Sequence, residues 1–188
     1  MSGTIPTRDD AWALLCEWTE NPGLRGHGLA VEAAMREYAE RMGEDVERWG
    51  VVGLLHDFDY ERYPEAEDHP YKGAEELRRR GYDEDFVETI MSHAAYTGIP
   101  RNTPVRKVLF AVDELSGLVV ATALVMPNKT MAEVAAKSVR KKMKSKGFAR
   151  KVNRDEIRQG AEELGVDLND HIETVVAALQ KAAPELGL

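Results

Sequence analysis

The stretch VLFAVDELSGLVVATALVM, residues 108–126, constrains the fold more than any other part of the chain. It is apolar on most faces and opens after Thr103-Pro104, a capping residue followed by a first-turn proline. A helix that is apolar nearly all round has to be surrounded by other elements. Its most apolar part, residues 118–126, is far shorter than the ~20 residues that a membrane-spanning helix needs. The chain is therefore expected to wrap helices around a central one. Asp113 sits in the middle of that helix, where an ionised carboxylate costs several kcal/mol or more unless it is paired or bound to a metal. The other reading puts Asp113 and Glu114 on a narrow solvent-facing stripe with Arg106 and Lys107, and the pattern alone leaves both open.

Nearly every other break in the sequence is a helix signal. Thr7-x-x-Asp10 resembles a weak capping box before AWALLCEW, and Asn21-Pro-Gly ends that helix. An amphipathic helix is predicted over 28–42, stopped by Gly43, with His27 at its mouth. A helix over about 45–58 carries His56-Asp57 in its last turn. The next begins at Pro70, with His69 in the cap position and Gly81 as terminator, and Asp83 caps a helix running to Tyr96 through His93. Capping boxes at Thr130-x-x-Glu133 and Asn153-x-x-Glu156 open two more, before a C-terminal helix that ends ahead of Pro184. Strand-like alternation is nearly absent, so the expected fold is all-α. A length of 188 residues suits one domain, 1–188, with a core over about 24–126 and a C-terminal helical extension over about 129–188.

Composition narrows the setting. The single cysteine, Cys16, cannot form an internal disulfide, and MSGTIPTRDD lacks the pattern of a secretory signal, so a cytoplasmic location without membrane attachment is expected. The net charge of −8 argues against a specific nucleic-acid partner. The sign is uneven, however: eleven Lys and Arg against three acids over 129–158 give +8 locally and leave −16 elsewhere. Such a segment attracts anions to one place. Trp12 and Trp18 are assigned to core packing, with a homodimer interface as the alternative.

Six residues are candidate metal ligands: His27, His56, Asp57, His69, His93 and Asp113. Imidazole and carboxylate without thiolate suit iron, manganese, nickel, cobalt, zinc or magnesium, and exclude a closed cysteine-ligated zinc site. Neighbouring helical residues point about 100° apart, so His56 and Asp57 can serve one ion only where the backbone deviates at a helix end. His171, alone on the C-terminal helix, is read as a satisfied core residue.

In order, GHGLAVEAAM, VVGLLHDFDY, EDHPYKGAEELRRRGY, IMSHAAYTG and LFAVDELSGL resemble the HD superfamily of metal-dependent phosphohydrolases, over roughly residues 27–118. The resemblance implies a helical bundle of the HD-domain type. It implies one divalent ion held by His27, His56, Asp57 and Asp113, and a second held with His69 and His93, Asp57 being the bridge and the catalytic residue that orients a metal-activated hydroxide. A small phosphate ester or nucleotide is the implied substrate, with Lys137, Lys141 and Lys142 of the basic segment as candidate phosphate contacts; a solvated helix face is the alternative for these lysines. HAAYTGIP departs from the His-His-Glu and Gly-Tyr-Pro of the cyclic-dinucleotide branch, which argues against that activity. The six-ligand order also resembles the mixed-valent diiron oxygenase branch that includes inositol oxygenase, and a non-catalytic HD-type signalling module is the third reading.

Overall fold

The computed structural model describes residues 4–188. Residues 1–3, which open the stretch read above as lacking a signal pattern, lie outside the described residues. The described residues form ten α-helices and two short 3-10 turns, with no strand, so the fold is all-α. Helix α6 (Pro104–Leu124) is the central one. Val108, Leu109, Ala111, Val112, Leu115, Leu118 and Val119 on it are fully buried. Packed around it are α2 (Pro22–Met42), α7 (Ala136–Met143), α8 (Arg154–Leu164) and α9 (Leu168–Lys181). Helix α3 (Val46–Leu55) lies along α2, and α1 (Arg8–Trp18) and α5 (Glu84–Met91) flank α3. Helix α4 (Tyr71–Arg79) packs on α5, and α10 (Ala183–Leu186) closes the chain against α2 and α9. Among the described residues, no helix is long and apolar enough to cross a membrane.

The C-terminal helices are not an appendage. Helix α8 crosses α6 so closely that a Cβ on Gly160 would stand 2.6 Å from the Ala111 Cα, and this close approach is why glycine is needed there. From α9, the buried His171 takes a 2.6 Å hydrogen bond between its Nδ1 and the Tyr38 hydroxyl, and its Nε2 donates to the Ala111 carbonyl at 2.8 Å. Burial pushes its pKa down, so it is the satisfied, neutral core residue that its isolation suggested.

Several helix ends differ from the sequence expectation, each for a local reason. Asn21 does not simply end α1; its side chain accepts from the N–H groups of Gly23 and Leu24 and, with Pro22 in the first turn, starts α2 six residues earlier than predicted. His27 is consequently inside α2 rather than at its mouth. Helix α4 starts at Tyr71, with Pro70 rather than His69 in the cap position. Helix α5 stops at Met91, leaving His93 beyond its Ser92 cap. The Thr130 box is not made, because Glu133 instead accepts from the backbone and side-chain amides of Asn128, and only a 3-10 turn forms over Met131–Glu133. At the second box Asn153 caps α8 as expected, yet its own N–H donates to Glu114 at 2.9 Å, not to Glu156. The two tryptophans are used within the chain. Trp12 packs against the core, and Trp18 meets Phe58 at 5.2 Å with the Arg62 guanidinium over its ring at 4.6 Å.

Candidate metal centre

Five segments bring the candidate ligands together, and all of them except the fully buried His56 line one cleft of about 330 Å³. His27 comes from the second turn of α2 and Asp113 from the middle of α6, and the His27 Nε2 lies 3.0 Å from Asp113 Oδ1. His56 is the C-cap of α3 and Asp57 the first residue of the turn that follows. Because the helix has ended, the adjacent pair converges instead of splaying: His56 Nε2 is 3.6 Å from Asp57 Oδ2 and 3.3 Å from Asp113 Oδ1. His69, just before α4, and His93, just after α5, place their Nε2 atoms 3.2 and 3.1 Å from Asp57 Oδ1. Two groups of potential ligands result, His27, His56 and Asp113, and Asp57, His69 and His93. Asp57 faces both groups, one oxygen toward each.

The outer contacts of the rings decide what their inner nitrogens can do. His56 Nδ1 donates to the Gly53 carbonyl at 2.8 Å and His93 Nδ1 to the Ile90 carbonyl at 2.7 Å. His69 Nδ1 donates to Asp59 Oδ1 at 2.8 Å. Each ring therefore turns Nε2 inward, and in its neutral form presents a lone pair there, the arrangement by which second contacts orient metal-binding histidines. Two further observations fit a cation between these atoms. The buried His56 Nε2 has no hydrogen-bond partner, and the Nε2 atoms of His69 and His93 face each other at 3.1 Å.

Without an ion, protons have to balance the carboxylates. Burial favours neutral His56, but Asp57 and Asp113 outweigh it and push its pKa up to about 9. Burial opposes charge on His69 as well, and Asp57 and Asp59 again outweigh it, to about 9. Burial acts against ionised Asp57 and Asp113, yet His56 and the other rings hold both carboxyls well below the usual range. Glu114 and Glu156 stand beside them; burial first and the Asp113 charge second push both upward, Glu114 to about 7. The raised histidines stabilise the ion-free protein below their unfolded pKa, a contribution lost as pH rises through about 9. A divalent ion has to displace those protons, so binding should release roughly two protons per chain at pH 7.5. Calorimetry of metal binding in buffers of different ionisation enthalpy measures this, and a heat independent of the buffer would contradict it.

The structure also brings in residues that the sequence did not assign to the site: Tyr60, Tyr96, Glu114, Lys151 and Glu156 line the cleft, and Asp59 supports His69 from behind. Tyr96 donates to the His69 carbonyl at 2.8 Å. Of the basic segment, Lys151 lines the cleft. Lys137, Lys141 and Lys142, the expected phosphate contacts, are on α7 and are not among its lining residues. The Lys142 ammonium instead lies over the Phe148 ring at 4.4 Å.

The described residues thus form an all-α domain in which two His and Asp groups that could hold metal ions stand side by side. The family model of the HD domain matches residues 24–118, half of the chain, and the chain belongs to that family. No curated protein and no solved structure matches it.

Proposed function

We propose that this chain is a metal-dependent phosphohydrolase of a small phosphate ester or nucleotide, working with two divalent ions that share Asp57. The observation that carries the reading is the position of the Asp57 carboxylate, with Oδ2 toward His56 and Oδ1 toward His69 and His93. In this reading His27, His56, Asp57 and Asp113 hold one ion, and Asp57, His69 and His93 the other. Manganese, iron, nickel, cobalt, zinc and magnesium all accept this donor set. Bound ions would supply a hydroxide near neutral pH and offset charge on the attacking and leaving oxygens of a displacement at phosphorus. Asp57 orients the nucleophile from between the two groups. Lys151 offers its ammonium to phosphate oxygens, while Tyr60 and Tyr96 bound the cleft and limit the room for water.

Hydrolysis is favoured over oxidation because a cation borders the cleft and because a +8 segment lies beside it in an acidic protein. Para-nitrophenyl phosphate turnover by manganese- or nickel-loaded protein tests this. Release of nitrophenol that is unchanged by removing oxygen is expected. Oxygen uptake by an iron-loaded protein without phosphate release would replace the reading with a diiron oxygenase, and a chain that binds no ion and turns nothing over would be a non-catalytic module.

A further inference from the structure

The cations of residues 129–158 differ from those elsewhere in how they are paired. Outside this segment most arginines are tied to carboxylates, as Arg36 is to Glu32 and Glu47, Arg48 to Asp83, and Arg101 to Glu163, while Arg25 and Arg62 donate to backbone carbonyls instead. Among the described residues, Lys144, Lys146, Arg150 and Lys151 form no ion pair; within the segment the one pair is Arg158 with Asp155, at 2.7 Å. Lys144, Lys146 and Arg150, with Arg154 and Arg158, line a second cavity of about 500 Å³. Asp155, already paired, is the one acid in its wall.

This cavity adjoins the metal cleft. Val152 lines both, and the successive residues Arg150 and Lys151 line one cavity each. The loop that arranges them is held in shape by its own contacts. The Arg154 guanidinium donates to the carbonyls of Phe148, Ala149 and Val152, and Ala149 takes a left-handed conformation (φ 42°) inside that grip. Asn153 N–H on Glu114 ties the end of the loop to α6 beside Asp113.

We propose that the cavity of Lys144, Lys146 and Arg150 is an anion subsite for a second phosphate group of the substrate whose scissile phosphate occupies the metal cleft. The proposal rests on the phosphohydrolase reading and narrows its substrate to a bisphosphorylated or polyphosphorylated small molecule. A small molecule suits the surface better than a nucleic acid, because the rest of the chain carries −16 and would repel a polyanion that extends beyond the two cavities.

The test begins with inorganic pyrophosphate and the full-length protein freed of metal by chelation, at low salt, so that binding is read without turnover. Wild type should bind, and K144E/R150E should raise Kd by roughly tenfold or more. The double reversal K107E/K129E, equal in charge but outside the cavity, should change Kd less than about threefold. Equal losses in the two variants, or none in K144E/R150E with its thermal unfolding unchanged, would overturn the subsite. Tight binding of a single-stranded oligonucleotide that outcompetes pyrophosphate would also overturn it, in favour of a nucleic-acid surface. With loaded enzyme, K144E/R150E should raise KM for a sugar bisphosphate and leave KM for para-nitrophenyl phosphate unchanged. A protein that binds pyrophosphate as described but hydrolyses neither ester would keep the subsite and remove the phosphohydrolase reading.

Discussion

Replacing Asp57 with asparagine is expected to lower phosphomonoester kcat/KM on the order of 10^3-fold and to empty at least one of the two ion positions. Asp57 faces both ligand groups, at 3.6 Å from His56 and at 3.2 and 3.1 Å from His69 and His93. The amide keeps the shape and removes the charge. It also turns an NH2 group, which cannot be a ligand, toward one of the two groups. The ion-free variant reports the same change differently. Asp57 is the foremost carboxylate holding the His56 and His69 pKa values near 9, so both should titrate lower in the variant, readable by NMR of the imidazoles. Retained turnover with unmoved histidine titrations would mean that Asp57 is a bystander.

The second large effect is expected at Asp59, a positioning residue that does not itself line the cleft. It is 1% exposed; one oxygen accepts from His69 Nδ1 at 2.8 Å and the other from the Gly73 N–H at 2.7 Å. Gly73 has to be glycine for this, since a Cβ there would come within 2.8 Å of the Asp59 Cγ. In Asp59→Asn the amide NH2 must face one of two donors, leaving a buried group unsatisfied at roughly 1–3 kcal/mol of stability. His69 then loses its fixed orientation. Metal affinity at the group of Asp57, His69 and His93 should fall about 10–100-fold, while the group of His27, His56 and Asp113 keeps its ion. Metal titration of the variant should show one strong and one weak site. Equal weakening of both would indicate general loosening instead.

These two aspartates mark where the sequence is legible and where it is not. The central helix and the helix caps at Asp83 and Asn153 follow from local chemistry, and the structure agrees with them, whereas Asp113, which the pattern leaves open between a core position and a solvent-facing stripe, is half-buried beside His27 and His56. Asp57 was visible through its neighbours in sequence. Asp59, two residues on, looks like an ordinary turn residue, because its partners are a histidine ten residues away and the backbone of α4. The same limit applies to the basic segment. The run of charge offers Lys137, Lys141 and Lys142 as phosphate contacts, whereas the loop after α7, folded by Arg154, decides that Lys151 meets the cleft. Asn21 misled for a related reason: one polar residue can end one helix and cap the next, and Pro22 favours the second role.

The paired ligand groups are expected to hold two ions through Asp57. Elemental analysis of anaerobically purified protein, after saturation with manganese or iron and removal of free metal, measures it most directly. Two ions per chain are expected in the wild type, one in Asp59→Asn, and at most one in Asp57→Asn. Protein that emerges ion-free with every divalent metal tried, or that holds a single ion with the same affinity whether or not Asp57 is present, would contradict it.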